Sequence, residues 1–173
     1  MAYLNNGTFI LRQYLRSDCL LKLKSLIINL LIPLSIGILS GFLTMDSMKV
    51  YKNLNQPSFA PPSLLFSIVW TALYILMGIS SYIVYESNSA LKSKALKVYA
   101  LQLLLNFIWP LIFFNAQMYL FSFVWLILIW CLVLWMIILF YKINQLSGYL
   151  QIPYLLWLTF AAYLNIGVYF LNK

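Results

Sequence analysis

In 173 residues the chain carries 64% hydrophobic and only 8% charged side chains, with a formal net charge of +8. A soluble domain usually has about a quarter of its residues charged, so this composition excludes a water-soluble globular domain and points to hydrocarbon as the solvent. Nucleic-acid binding is excluded as well, because the basic residues stand at the ends of apolar runs and not in a patch among aromatics of a polar domain.

Residues 1–24 read as a basic N-terminal extension on the cytoplasmic side. Arg12, Arg16, Lys22 and Lys24 follow a short apolar stretch instead of preceding one, and no small-residue cleavage site accompanies them, which argues against a signal peptide. Residues 25–173 read as one transmembrane domain. Five runs are long enough to cross about 30 Å of hydrocarbon at about 1.5 Å per residue. They are Ser25–Met45, Leu64–Tyr85, Ala95–Phe114, Tyr119–Tyr141 and Leu150–Leu171. The runs are continuously apolar and do not alternate, so they predict helices and not barrel strands. The predicted fold is an all-α integral membrane protein, a bundle of five transmembrane helices.

The first loop, Asp46 to Ser63, is the long one, and Ala60-Pro61-Pro62 predicts an extended segment that ends just before the second helix. Asn115–Met118 leaves room only for a tight hairpin between the third and fourth spans. Lysine and arginine number eight on the side of the N-terminus, the second loop and Lys142. On the other side are three, Lys49, Lys52 and Lys173. In a bacterial cell membrane, the setting expected here over a mitochondrial outer membrane, this asymmetry places the N-terminus inside and the C-terminus outside.

Histidine is absent, which removes imidazole acid–base work and histidine-ligated metals; no metal site is expected. Cys19 and Cys131 have no metal-like spacing. Asp18, Asp46 and Glu86 all lie outside the apolar runs, so no carboxylate relay crosses the membrane interior, against an ordinary proton-coupled pump.

Uncharged polar residues within spans mark the interior of a bundle. The third span supplies Tyr99, Gln102, Asn106, Trp109 and Phe113, spaced three, four, three and four apart and therefore on one helical face. The second supplies Ser67, Trp70, Tyr74, Met77 and Ser81, and the fifth Tyr154, Trp157, Ala161 and Leu164 with Asn165 beside them. Wide rings with a few hydrogen-bonding groups suit a large flat apolar ligand held between these three faces. Such stripes also serve plain packing, and the residues alone leave both uses open. The fourth span, with only Ser122 and Cys131 as weakly polar groups, is assigned mostly to lipid, and Gly37 and Gly41 fit the small-xxx-small pattern of close helix packing.

Three motifs carry a resemblance. They are Gln56-Pro57-Ser58-Phe59-Ala60-Pro61-Pro62 with Val69-Trp70-Thr71-Ala72-Leu73-Tyr74, then Tyr99-Ala100-Leu101-Gln102 with Leu105-Asn106 and Trp109-Pro110, then Pro153-Tyr154-Leu155-Leu156-Trp157 through Leu164-Asn165. With these the chain resembles the TspO/MBR family, the bacterial tryptophan-rich sensory proteins and the mitochondrial translocator protein, or peripheral benzodiazepine receptor. The resemblance implies a homodimeric five-helix receptor or transporter that requires no cofactor. Its implied ligands are protoporphyrin IX, haem-like tetrapyrroles and sterols, with a role in tetrapyrrole transport, sensing or regulation. Carried over by motif, the pocket walls would be Trp70, Tyr74, Asn106, Trp109, Trp157, Ala161 and Leu164, beside Gln102 and Phe113 of the stripe. Tyr51, Phe59, Pro61 and Pro62 would form the lid. The alternative implied activity is light- and oxygen-dependent porphyrin degradation through Trp70 and Trp157. The chain departs from the family at Val50 and Phe59, where tryptophan is common, and a sterol-recognition pattern has a loose counterpart in Leu164, Tyr169 and Lys173.

Overall fold

The computed structural model describes residues 3–47 and 53–173 and, of their side chains, all but those of residues 3–19 and 63. These residues form α1 (Tyr3–Thr44), α2 (Ser63–Tyr85), α3 (Lys92–Pro110), α4 (Tyr119–Ile143), the short α5 (Gln145–Tyr149) and α6 (Ile152–Leu171), with a π-helical turn at Leu111–Asn115. Among the described residues, five stretches are long and apolar enough to cross a membrane: Leu20–Thr44, Leu64–Tyr85, Lys92–Asn115, Tyr119–Ile143 and Gln145–Leu171. Each lies within about five residues of the run read from the sequence. α1 runs from the basic N-terminal segment into the first span as one helix.

The helices pack in a chain of neighbours: α1 along α2 and against α3, α3 on α4, and α4 on α6. Long aliphatic side chains such as Leu31, Phe42, Leu128 and Leu134 remain exposed on the outside, as a hydrocarbon solvent permits. The fourth span is less one-sided than its sequence suggested. Ser122, Leu126, Ile129, Val133, Met136 and Phe140 recur at helical spacing and are all buried, while Cys131 points outward.

Pro62 ends the first loop in extended geometry (φ −55°, ψ 147°) directly before α2, as the proline pair predicts. Pro110 ends α3. Proline cannot donate the amide that a regular turn needs, and the backbone widens into the π turn that follows. This turn buries both Phe113 and Phe114, which stand edge-on with ring centroids 4.9 Å apart.

Within hydrocarbon, helices associate through close packing and a few hydrogen bonds. At Gly78 of α2 a Cβ would lie 2.8 Å from the Cα of Leu30 and 2.9 Å from the carbonyl oxygen of Asn29. The absence of a side chain is therefore what lets α2 reach the backbone of α1. It meets α1 one turn before Pro33, whose missing amide leaves the Asn29 carbonyl without its usual helical donor. Ser81 adds a bond to the same turn, donating to Asn29 Oδ1 at 3.0 Å.

These contacts give a contrast between two glycines. Gly78→Ala forces backbone apart and should cost roughly 1–3 kcal/mol. Gly41→Ala, where a Cβ meets nothing within 4 Å, should melt at or slightly above the wild type. Thermal unfolding of both variants in detergent checks the pair, and equal midpoints would contradict this account of the α1–α2 seam.

Candidate binding site

A cleft of about 410 Å³ opens between α1, α2 and α3 at the end nearer the first loop. From α2 come Phe66, Trp70 and Tyr74, and from α3 and the π turn come Asn106, Trp109 and Phe114. The third wall is α1, through Leu34, Gly37, Ser40, Gly41 and Thr44. The volume falls in the range of small-molecule sites. Ile38, 73% exposed, and the exposed Ser67 and Thr71 stand along its rim, so the cleft is open on one side.

Small residues on α1 make this space. A Cβ at Gly37 would fall 2.3 Å from the Tyr74 ring, so the glycine seats that ring against the α1 backbone, as the small-xxx-small pattern predicts. Gly41 does something else: it faces open space within the cleft. Thr44 turns its hydroxyl back to the Ser40 carbonyl at 2.9 Å, satisfying it within the helix and leaving an apolar methyl for the wall.

Polar groups are few, and most are fixed. The Asn106 amide donates to the Tyr74 hydroxyl at 3.3 Å. Deeper in, the Tyr154 hydroxyl donates to Gln102 Oε1 at 3.1 Å. Asn165 of α6, oriented so that both ends of its amide are satisfied, donates to the Tyr119 carbonyl at 2.7 Å. Its oxygen accepts from Ser122 Oγ at 3.0 Å and from Trp109 Nε1 at 3.2 Å. That node holds Trp109, only 4% exposed, by its one polar atom and aligns the indole along the cleft. On its other side Trp109 stacks on Phe113 at 5.2 Å and 21°.

Four of the residues expected at a site, Trp70, Tyr74, Asn106 and Trp109, therefore share this cleft. Others lie apart from it. Gln102 is buried below it, and Phe113 turns away toward Tyr119, ring centroids 5.3 Å apart, while Phe114 takes its place in the wall. The expected enclosure between the second, third and fifth spans differs from this geometry, in which α1 supplies the third wall. Rings from α2 and α6 instead meet each other: Trp70 lies edge-on to Tyr154 at 6.1 Å, and Phe66 against Trp157 at 5.7 Å. Trp157 is half-buried with its Nε1 enclosed and without a hydrogen-bond partner; Ala161 and Leu164 are buried on α6. Leu164 faces inward while Lys173 is exposed, with its ammonium 5.7 Å from the Tyr169 ring, so the sterol-like pattern does not form one continuous lipid-facing strip.

Tyr51 lies outside the described residues. Of the other expected lid residues, Phe59 is 75% exposed, Pro61 half-buried and Pro62 exposed at the start of α2. The loop is anchored by Pro57, part of the first motif, and by Asn55 and Asn172, which the sequence did not single out. Pro57 is buried against α6, where a Cβ at Gly167 would lie 2.5 Å from its ring. Asn55 and Asn172 pair reciprocally: the Asn55 amide donates to Asn172 Oδ1 at 2.9 Å, and Asn172 Nδ2 donates to the Asn55 carbonyl at 2.8 Å. The signal for the α1 wall was present in Gly37, Ser40, Gly41 and Thr44, which recur at helical spacing as small side chains.

Similarity to known proteins extends over most of the chain. A family model described as the TspO/MBR family matches residues 29–171. The tryptophan-rich protein TspO of Archaeoglobus fulgidus is 35% identical over 153 residues, covering 88% of this chain and 99% of that protein. The human translocator protein is 35% identical over 133 residues, 75% of this chain and 79% of its own length. Protein CrtK of Rhodobacter capsulatus is 36% identical over 126 residues, 70% and 78% respectively.

The loop anchor makes a direct prediction. Asn172→Ala removes both bonds between the two asparagines while leaving the spans intact. Hydrogen exchange should then quicken at the Asn55 amide by roughly tenfold, the equivalent of about 1.4 kcal/mol of lost protection. Unchanged exchange would show that Pro57, with the contact from Asn55 Nδ2 to the Leu171 carbonyl, holds the loop without the asparagine pair.

Proposed function

This chain belongs to the TspO/MBR family of multi-pass integral membrane proteins, and from that premise we propose that it is a receptor- or transporter-like protein for a tetrapyrrole such as protoporphyrin IX. The observation that carries the reading is the cleft itself. Trp70, Phe66, Trp109 and Phe114 offer ring surface from two helices, while the Asn106–Tyr74 pair offers hydrogen-bonding capacity in an otherwise apolar wall. A broad, flat, conjugated guest uses ring surface of this kind by stacking, and one or two polar contacts then fix its orientation. The Tyr74 hydroxyl accepts from Asn106 and keeps its own proton to donate, so it is suited to an acceptor nitrogen or oxygen of the guest.

The open side at Ile38, Ser67 and Thr71 fits a ligand that enters from the bilayer. A sterol is the competing guest, since it shares the apolar bulk without the conjugation. The excess of lysine and arginine at the N-terminal end supports an orientation with that end inside.

Gly41→Phe tests the site with little disturbance to the fold, because the new side chain grows into space that the cleft leaves empty. Purified wild type titrated with protoporphyrin IX should show saturable tryptophan quenching, and Gly41→Phe should weaken it by at least about tenfold. Trp70→Ala should weaken it to a similar degree. Cholesterol added as competitor should displace the porphyrin if the cleft accepts both. Quenching that never saturates in the wild type would overturn the reading, and saturation unchanged by Gly41→Phe would move the site elsewhere.

A further inference from the structure

A second cleft, of about 290 Å³, lies between the same three helices at the opposite end of the bundle. Its wall is largely aliphatic, built from Ile28, Ile32, Leu96 and Leu103, with Ser25 and Tyr99 among them. Tyr99 is 6% exposed, and its hydroxyl lies near Ser81 without reaching hydrogen-bonding geometry. Ser25 Oγ is also buried without a partner. Their polar neighbours are already engaged. Ser81 donates to Asn29 Oδ1 and lies 3.0 Å from the Gly78 carbonyl, while Asn29 donates to the Ser25 carbonyl at 2.9 Å.

Two enclosed hydroxyls left unpaired in one apolar cleft are a standing penalty that a guest oxygen would relieve. A carbonyl oxygen suits such a donor, because it has no proton to place and lone pairs to receive one. The rest of the guest is dictated by the wall. No tryptophan lines this cleft, so it lacks the broad indole surface of the first, and its branched aliphatic side chains suit a flexible hydrocarbon chain. Ile28, Ile32 and Ala100 are exposed, which leaves a lateral way in from the bilayer. At the rim, Lys92 holds its ammonium 4.8 Å over the ring of Tyr85, another residue of the wall, and so places positive charge where a head group would emerge.

We propose that this cleft is an acyl-lipid site, in which the carbonyl or carboxyl oxygen of the lipid accepts from Tyr99 or Ser25, the chain lies along Ile28 and Ile32, and Lys92 faces the head group. The site is independent of the tetrapyrrole reading. The same oxygen chemistry is available from a free fatty acid or from an ester of a membrane phospholipid.

Native mass spectrometry of the full chain, purified in an alkyl maltoside detergent that contains no carbonyl, tests this with palmitoleate and dioleoyl phosphatidylglycerol as separate probes. The wild type should retain one molecule of at least one of them. The double variant Ser25→Ala with Tyr99→Phe should retain about tenfold less, and Ala100→Trp should lose it by blocking the open side. Sensitivity of palmitoleate alone identifies the free acid, and sensitivity of phosphatidylglycerol alone identifies the bilayer ester. Should the double variant melt well below the wild type, Tyr99→Phe by itself keeps the ring beside Phe140, 6.0 Å away, and should still show a severalfold loss. Failure of the wild type to retain either probe, or equal retention by wild type and variants, overturns the proposal.

Discussion

A polar side chain placed in hydrocarbon has no water to fall back on, so it must find its partner within the protein. That constraint organises this bundle. Asn165 reaches from α6 to Tyr119, Ser122 and Trp109. Tyr154 joins α6 to Gln102 of α3, Ser80 donates from α2 to the Ser147 carbonyl of α5 at 2.7 Å, and Asn106 joins α3 to Tyr74 of α2. Each bond is modest, of the order of 0.6 kcal/mol in a membrane. Their effect lies in register: an amide that must meet a particular indole or hydroxyl fixes the rotation and height of its helix. The aromatic walls are held in line by these few contacts.

The same constraint explains the two clefts. Along α1 the interior side carries serine, asparagine, glycine and threonine, residues that let neighbouring backbone approach but fill little volume. Where glycine meets backbone, as at Gly78, the helices close up. Where a ring stands opposite, as Tyr74 does at Gly37, it closes on the helix, and where nothing stands opposite, as at Gly41, volume is left over. Packing and vacancy thus come from one choice of residue size, decided by what stands opposite.

The spans were legible because continuous apolar runs of this length have few alternatives, and the helical faces of α2 and α3 were legible because Gln102 and Asn106 had to point inward. Three features escaped that logic. Periodicity placed Phe113 on the ligand face, but the turn widened by Pro110 brings Phe114 there instead; a spacing rule fails where the helix changes pitch. The role of α1 was obscured because size carries no polarity signal, so a small-residue stripe reads as packing until its opposite wall is known. The fifth span had the right rings for a site, yet which cleft a ring faces depends on helix rotation, and Asn165 fixes that only through partners on two other helices.

Asn55 and Asn172 stand 117 positions apart in the sequence. A chain made from its N-terminus produces the first loop before the second span and the loop's anchor only after four further spans have passed into the bilayer. The mouth of the bundle consequently takes its final shape only when the fifth span has been inserted and its closing turn has cleared the ribosome. Until then the membrane holds a protein with its helices in place and its entrance unset. Assembly in this order makes the loop a late report on whether all five spans have been delivered.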